Sequence, residues 1–217
     1  MSASANPHQG QPVRQFGASL KEAEGAVVML HGRGGSAEDI LSLASAMYRP
    51  GLAYLAPQAA GHSWYPYSFL APREENEPWL SSALSLVGHT VREAINAGIA
   101  AEKIVLCGFS QGACLSSEFV AREPRRYGGL IAFTGGLIGA SLDERYAGEL
   151  EGMPAFLGSG DPDPHVPWAR VEKTGEVLRG MGAAVTMRRY PGRQHTISGE
   201  EVDFGKRLVD EVFGGSV

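Results

Sequence analysis

Three kinds of residue that together can carry out acyl transfer occur along this chain. They are a serine in Gly108-Phe109-Ser110-Gln111-Gly112, a pair of acids in Asp161-Pro162-Asp163, and His195. A serine hydroxyl attacks a carbonyl when it stands clear of the backbone and a base takes its proton, while a carboxylate holds that base in one tautomer. Gly-x-Ser-x-Gly meets the first condition when it closes a strand and opens a helix, because the flanking glycines leave room for a sharp corner. Here the motif follows Lys103-Ile104-Val105-Leu106-Cys107, and the residues after it suit a helix through Val120. Helix entry at Ser110 also aims the Gln111 backbone N–H at an oxygen gathering negative charge.

A second donor for such an oxygen is expected from His31-Gly32-Arg33-Gly34-Gly35-Ser36, between an apolar strand (25–30) and a helix (37–47). Its spacing matches neither Gly-x-Gly-x-x-Gly nor Gly-x4-Gly-Lys-Ser/Thr, which argues against a nucleotide site. Glycines there let the main chain approach a ligand, so Arg33 is expected to act through its amide.

Asp161 and Asp163 follow an apolar strand (154–160), in a loop at the strand end where α/β folds gather reacting groups. Asp-Pro pairs also make turns and caps, so the residues themselves leave the choice of acid open. His195 lies between a strand (185–190) and a helix whose start is marked by a Ser198/Glu201 capping box with Ile197 and Val202 as its staple. The order serine, acid, histidine, each after a strand, is that of α/β-hydrolases.

The remaining segments would position these groups. Apolar runs at 25–30 and 52–57 have the pattern of strands covered on both faces, and 104–107, 129–133 and 154–160 read as further strands. Helices are expected from 37, from Pro78 with Leu80, Leu84, Val87, Val91 and Ile95 in phase, from Gln111, from Trp168 and from Ser198. The alternation implies an α/β fold with a mostly parallel central sheet and helices on both faces. One domain is expected over 13–217, with Val13–Ser19 an edge strand and 1–12 a disordered tail without chemistry. Trp64-Tyr65-Pro66-Tyr67-Ser68-Phe69-Leu70 has neither period. Trp64 is assigned to the wall of an acyl or aryl pocket, with Tyr65 and Phe69 as candidate companions and Tyr67 undecided between wall and core.

A chain of 217 residues, 43% hydrophobic, can bury a sizeable core. Its net charge of −5 without a basic cluster offers no footprint for nucleic acid or an anionic membrane. No apolar run reaches the length of a membrane span and residues 1–11 lack a secretory pattern, so a cytoplasmic protein is expected. Cys107 and Cys114 are read as buried thiols, neither disulfide nor metal ligands, and His89 as a surface residue. No metal or cofactor is called for, and a homodimer stays open.

Leu30-His31-Gly32-Arg33-Gly34-Gly35, Gly108-Phe109-Ser110-Gln111-Gly112, Asp163-Pro164-His165-Val166-Pro167 and Tyr190-Pro191-Gly192 through His195 resemble the phospholipase/carboxylesterase family of α/β-hydrolases. That family includes bacterial carboxylesterases and acyl-protein thioesterases. The resemblance, from about residue 25 onward, implies Ser110 as nucleophile, His195 as base and Asp163 as acid, with the Arg33 and Gln111 amides as oxyanion donors. It implies hydrolysis of small to medium acyl esters, with thioesters or lysophospholipids as alternative substrates. A ligand-binding protein on the same fold is the rival from another class. The chain departs from the family at Ser159, where His is frequent, and at Gly35, where Asp is frequent.

Overall fold

A computed structural model describes residues 6–142 and 146–214. Seven strands form one sheet: β1 (Val13–Gly17), β2 (Gly25–Leu30), β3 (Leu52–Pro57), β4 (Ile104–Phe109), β5 (Gly129–Phe133), β6 (Pro154–Asp161) and β7 (Ala184–Pro191). Their spatial order is β1-β3-β2-β4-β5-β6-β7, with β1 antiparallel to β3 and every other pair parallel. The helices are α1 (Ala37–Ala44), α2 (Trp79–Asn96), α3 (Gln111–Arg122), α4 (Trp168–Gly180) and α5 (Gly199–Phe213).

β2, β3 and β5 are buried along their whole length, as their unbroken apolar sequences require. Alternate side chains feed two cores because strand side chains alternate between faces. Val27, Met29, Val105 and Cys107 meet Ile40 of α1 and Leu208 and Phe213 of α5 on one face. Ala26, Val28, Leu30 and Leu106 meet Leu80, Leu115 and Val171 of α2, α3 and α4 on the other. Cys107 and Cys114 therefore lie in different cores, as free buried thiols. His89 is exposed on α2 beside Glu93.

Two expectations need correction. β1 stops at Gly17, short of Ser19: Gly17 has φ 84°, and a Cβ there would lie 2.4 Å from the Leu52 carbonyl oxygen, so only glycine turns the chain away at that point. Residues 1–5 of the expected tail lie outside the described residues, but 6–12 do not behave as a disordered tail. His8 is 1% exposed and hydrogen-bonded on three sides, its N–H donating to Ser82 Oγ (2.9 Å), and its ring meeting the Trp64 carbonyl (2.9 Å) and the Ala60 N–H (3.0 Å). An imidazole that satisfies both ring nitrogens can be buried within an otherwise polar stretch.

Candidate active site

Ser110 occupies the corner between β4 and α3 with φ 54° and ψ −117°, a conformation that a residue with a side chain adopts only at some cost. Its N–H donates to the Phe133 carbonyl at the end of β5 (2.9 Å), and its carbonyl accepts from Cys114 N–H (3.0 Å). The neighbouring glycines are forced by contact. A Cβ on Gly108 would lie 2.4 Å from the Gly112 backbone, and one on Gly112 would lie 2.1 Å from the Leu30 carbonyl oxygen. Gln111 begins α3, so its N–H has no carbonyl within its own helix to bond.

The carboxyl ends of β4, β6 and β7 bring three loops to one edge of the sheet. Asp161 at the end of β6 pairs in register with Pro191 of β7, setting the acidic loop beside the His195 loop. Gly160 permits this approach, since a Cβ there would sit 2.4 Å from the Arg193 carbonyl oxygen. His195 Nε2 lies 2.8 Å from Ser110 Oγ, and its Nδ1 lies 2.8 Å and 3.1 Å from the two Asp163 carboxylate oxygens. Asp163 therefore reaches the histidine, whereas Asp161 pairs with the Arg189 guanidinium. The Asp163 side chain is fully buried. Burial pushes its pKa up, but N–H groups of His165 and Val166 (both 2.8 Å) and the His195 ring outweigh burial and hold the carboxyl below its ordinary range. It is thus an anion built to accept from an imidazole N–H.

The His195 loop has an anchor that the sequence pattern did not reveal. Glu201 caps α5 through Ser198, as its spacing predicts, but it is also completely buried and ion-paired with Arg193. Gly158 makes the space, because a Cβ there would come within 2.4 Å of the Glu201 carboxylate.

A cavity of about 650 Å³ opens over Ser110 and His195, walled by Tyr65, Tyr67, Phe69, Cys114 and Val166 and reaching Gly32 and Arg33. Tyr65 and Phe69, the candidate companions, line this cavity together with Tyr67. Trp64 does not: it is fully buried in the core behind the wall, with Nε1–H donating to the His31 carbonyl (2.8 Å). Its indole needs a polar partner, and the carbonyl that provides one faces inward. The wall is fastened by the side chains of Arg33 and Gln111, the two residues expected to act through their backbone N–H groups. The Arg33 guanidinium donates to Ser63 Oγ (3.1 Å) and to the carbonyls of Pro66 (2.9 Å) and Tyr67 (2.7 Å). The Gln111 side chain accepts from Trp64 N–H through Oε1 (2.9 Å) and donates to the Tyr65 carbonyl through Nε2 (2.8 Å).

Two histidines brace this wall from behind. Ala59 N–H donates to His31 Nε2 (3.1 Å) and Ala60 N–H to His8 Nδ1 (3.0 Å), so each ring has one bare nitrogen and is neutral. The other nitrogens donate to the Gly32 carbonyl (2.7 Å) and the Trp64 carbonyl (2.9 Å). Burial lowers the pKa of both and outweighs the hydrogen bonds to the Trp64 and Gly32 carbonyls, which act in the opposite direction. In the unfolded chain both would protonate near pH 6.5, so stability is fullest above about that pH and falls below it, by at most about 1.4 kcal/mol per pH unit for each ring. Urea unfolding followed from pH 7.5 to 5 is expected to show this decline, with a shallower slope in His8→Gln. An unchanged slope in that variant would remove His8 from the account.

A mostly parallel sheet with a serine in a strained strand-to-helix corner, facing a histidine and an acid from later strand ends, defines an α/β-hydrolase. The phospholipase/carboxylesterase family model matches residues 16–211, and the chain belongs to that family. A phospholipase/carboxylesterase from Dyadobacter fermentans of known structure is 49% identical, with a TM-score of 0.90 over 92% of this chain and 96% of that one. Acyl-protein thioesterase 1 of Debaryomyces hansenii is 28% identical over 93% of this chain and 97% of its own length. The similar Gibberella zeae protein, also acyl-protein thioesterase 1, is 28% identical over 60% of this chain, and the chain spans only 57% of it. No group of three or more His, Cys, Asp or Glu suited to a metal ion occurs among the described residues, nor any helix long and apolar enough to cross a membrane.

Proposed function

We propose that this protein is a serine carboxylesterase acting on small to medium acyl esters through an acyl-enzyme. The observation that carries the proposal is the unbroken line of hydrogen bonds Asp163–His195–Ser110, each link 2.8 Å. His195 Nε2 takes the Ser110 proton as Oγ attacks the ester carbonyl, and Asp163 holds the ring and stabilises its charged form. The Arg33 and Gln111 amides receive the oxyanion, each such donor being worth about 3 kcal/mol of barrier. The alcohol leaves with the proton from His195. Water, deprotonated by the same nitrogen, then releases the acid.

The test is hydrolysis of p-nitrophenyl acetate, butyrate and octanoate, with fluorophosphonate labelling of Ser110. From acetate to butyrate kcat/KM is expected to rise roughly fourfold per methylene, from about 0.8 kcal/mol of burial per CH₂ against Tyr65 and Phe69. Labelling without turnover of any oxygen ester would favour the second reading, a thioesterase, which the thioesterase names of two relatives support. Neither labelling nor turnover would favour a ligand-binding protein.

Arg33→Met keeps the backbone N–H and removes the ties to the wall. KM is expected to rise about tenfold, for about 1.4 kcal/mol of lost fastening, with kcat changed less. Steady-state kinetics on p-nitrophenyl butyrate checks this, and a pure kcat loss would contradict it.

A further inference from the structure

A second cavity, about 500 Å³, lies across the Gly32–Arg33 loop from the first. Ile40, Leu43 and Ala46 on and just after α1 line it, together with Phe109 and Ile197. The two cavities share Gly32, Arg33 and Phe109. The partition is thin: a Cβ on Gly32 would lie 3.2 Å from the Phe109 ring and 3.4 Å from Ser110 Cβ. The Phe109 and His195 rings are 5.2 Å apart, and Ile197 follows His195 on the same loop. The second cavity therefore abuts both the serine and the histidine without containing either.

We propose that this second cavity is the leaving-group subsite, taking the uncharged, apolar alcohol half of the ester, aryl or branched alkyl, while the acyl half fills the first. The inference rests on the acyl-transfer reading above. The two arms of an ester diverge from its carbonyl carbon, so an ester held over Ser110 with its oxygen toward the Arg33 and Gln111 amides straddles the Gly32–Phe109 partition. One arm lies in each cavity. In the first step the Ser110 Oγ–carbon bond forms and the carbon–oxygen bond to the alcohol breaks. The serine proton, held on His195 Nε2, passes to the departing oxygen. The alcohol then leaves along the Phe109 side of the histidine.

Charge narrows the class of alcohol. The Arg33 guanidinium is occupied by Ser63, Pro66 and Tyr67 in the wall of the first cavity. The acid lining the second cavity is Asp39, whose carboxylate accepts from Ser36 N–H at the start of α1. A leaving group that carries a phosphate meets this carboxylate with no free cation among the described residues that line the cavity, whereas a neutral aryl alcohol meets Ile40, Leu43 and Ile197.

The experiment holds the acid constant and varies the alcohol: ethyl, 2-naphthyl and glycerophosphate esters of butyrate, with 2-naphthyl octanoate as a control for the acyl arm. Ala46 is exposed at the rim, so Ala46→Trp narrows the cavity from its surface, and Leu43→Ala widens it. In Ala46→Trp the ratio of kcat/KM for 2-naphthyl over ethyl butyrate is expected to fall about tenfold. Leu43→Ala is expected not to lower that ratio, and the glycerophosphate ester to be the poorest of the three in wild type. The 2-naphthyl octanoate rate should fall by the same factor as the butyrate. A ratio unchanged in Ala46→Trp with normal thermal unfolding, a loss that tracks acyl length, or a preference for the phosphate-bearing alcohol overturns the assignment. Failure of the esterase reading looks different: wild type would turn over none of these esters.

Discussion

Ser110→Ala is expected to abolish ester hydrolysis, with a loss of about 10⁶-fold in kcat, and to leave the fold and its unfolding temperature close to wild type. The size of the effect follows from the covalent step, because no other hydroxyl stands within reach of His195 Nε2 at the 2.8 Å that Ser110 Oγ keeps among the described residues. The fold is expected to survive because the corner is held by backbone. Ser110 N–H bonds the Phe133 carbonyl, Gly108 and Gly112 fit by lacking side chains, and the hydroxyl meets His195 in a residue that lines the cavity. Alanine at φ 54° is strained much as serine is, so the backbone cost largely cancels between the two proteins. p-Nitrophenyl butyrate turnover and fluorophosphonate labelling, measured beside a circular-dichroism melt, check both halves. A variant retaining more than a small fraction of wild-type turnover would sink the nucleophile assignment.

Asp163→Asn should cost about 10⁴-fold in kcat, and Asp161→Asn far less. Asparagine at 163 can turn its NH₂ toward Nδ1, which forces the imidazole into the tautomer with a proton on Nε2, where Ser110 needs an acceptor. It also removes the anion that stabilises the imidazolium. Asp161 gives up only a partly exposed pairing with Arg189, and such pairs contribute about 1 kcal/mol or less. The comparison is internal, since two aspartates two residues apart carry the same substitution. Reversed losses would make Asp161 the acid.

Much of this architecture is legible in the sequence for a physical reason. β2, β3 and β5 are covered on both faces, so their apolar runs admit few alternatives, and the glycines around Ser110 have no room for any other residue. The choice between Asp161 and Asp163 is different. Residue types leave it open, and only the resemblance to a known motif favoured Asp163, because which acid faces β7 is decided by register and the turn after β6. Trp64 was misplaced since an aromatic segment without period does not announce which rings face inward; its neighbour Tyr65 lines the cavity and Trp64 lies in the core. Glu201 was readable as a cap but not as a buried ion-pair partner, for Arg193 and Gly158 create that role from two other segments. His8 left no signal, since its partners lie more than fifty residues away.

That last contact divides the molecule in an unexpected place. A chain begun at Val13 would hold every atom proposed to make or break bonds, together with the whole sheet and the glycines of the serine corner. It would lack the ring that satisfies the Ala60 amide and the Trp64 carbonyl, leaving those two groups at the back of the wall without their partner. Such a trimmed protein would keep its chemistry and lose its grip, and an inventory of catalytic residues would give no warning of the difference.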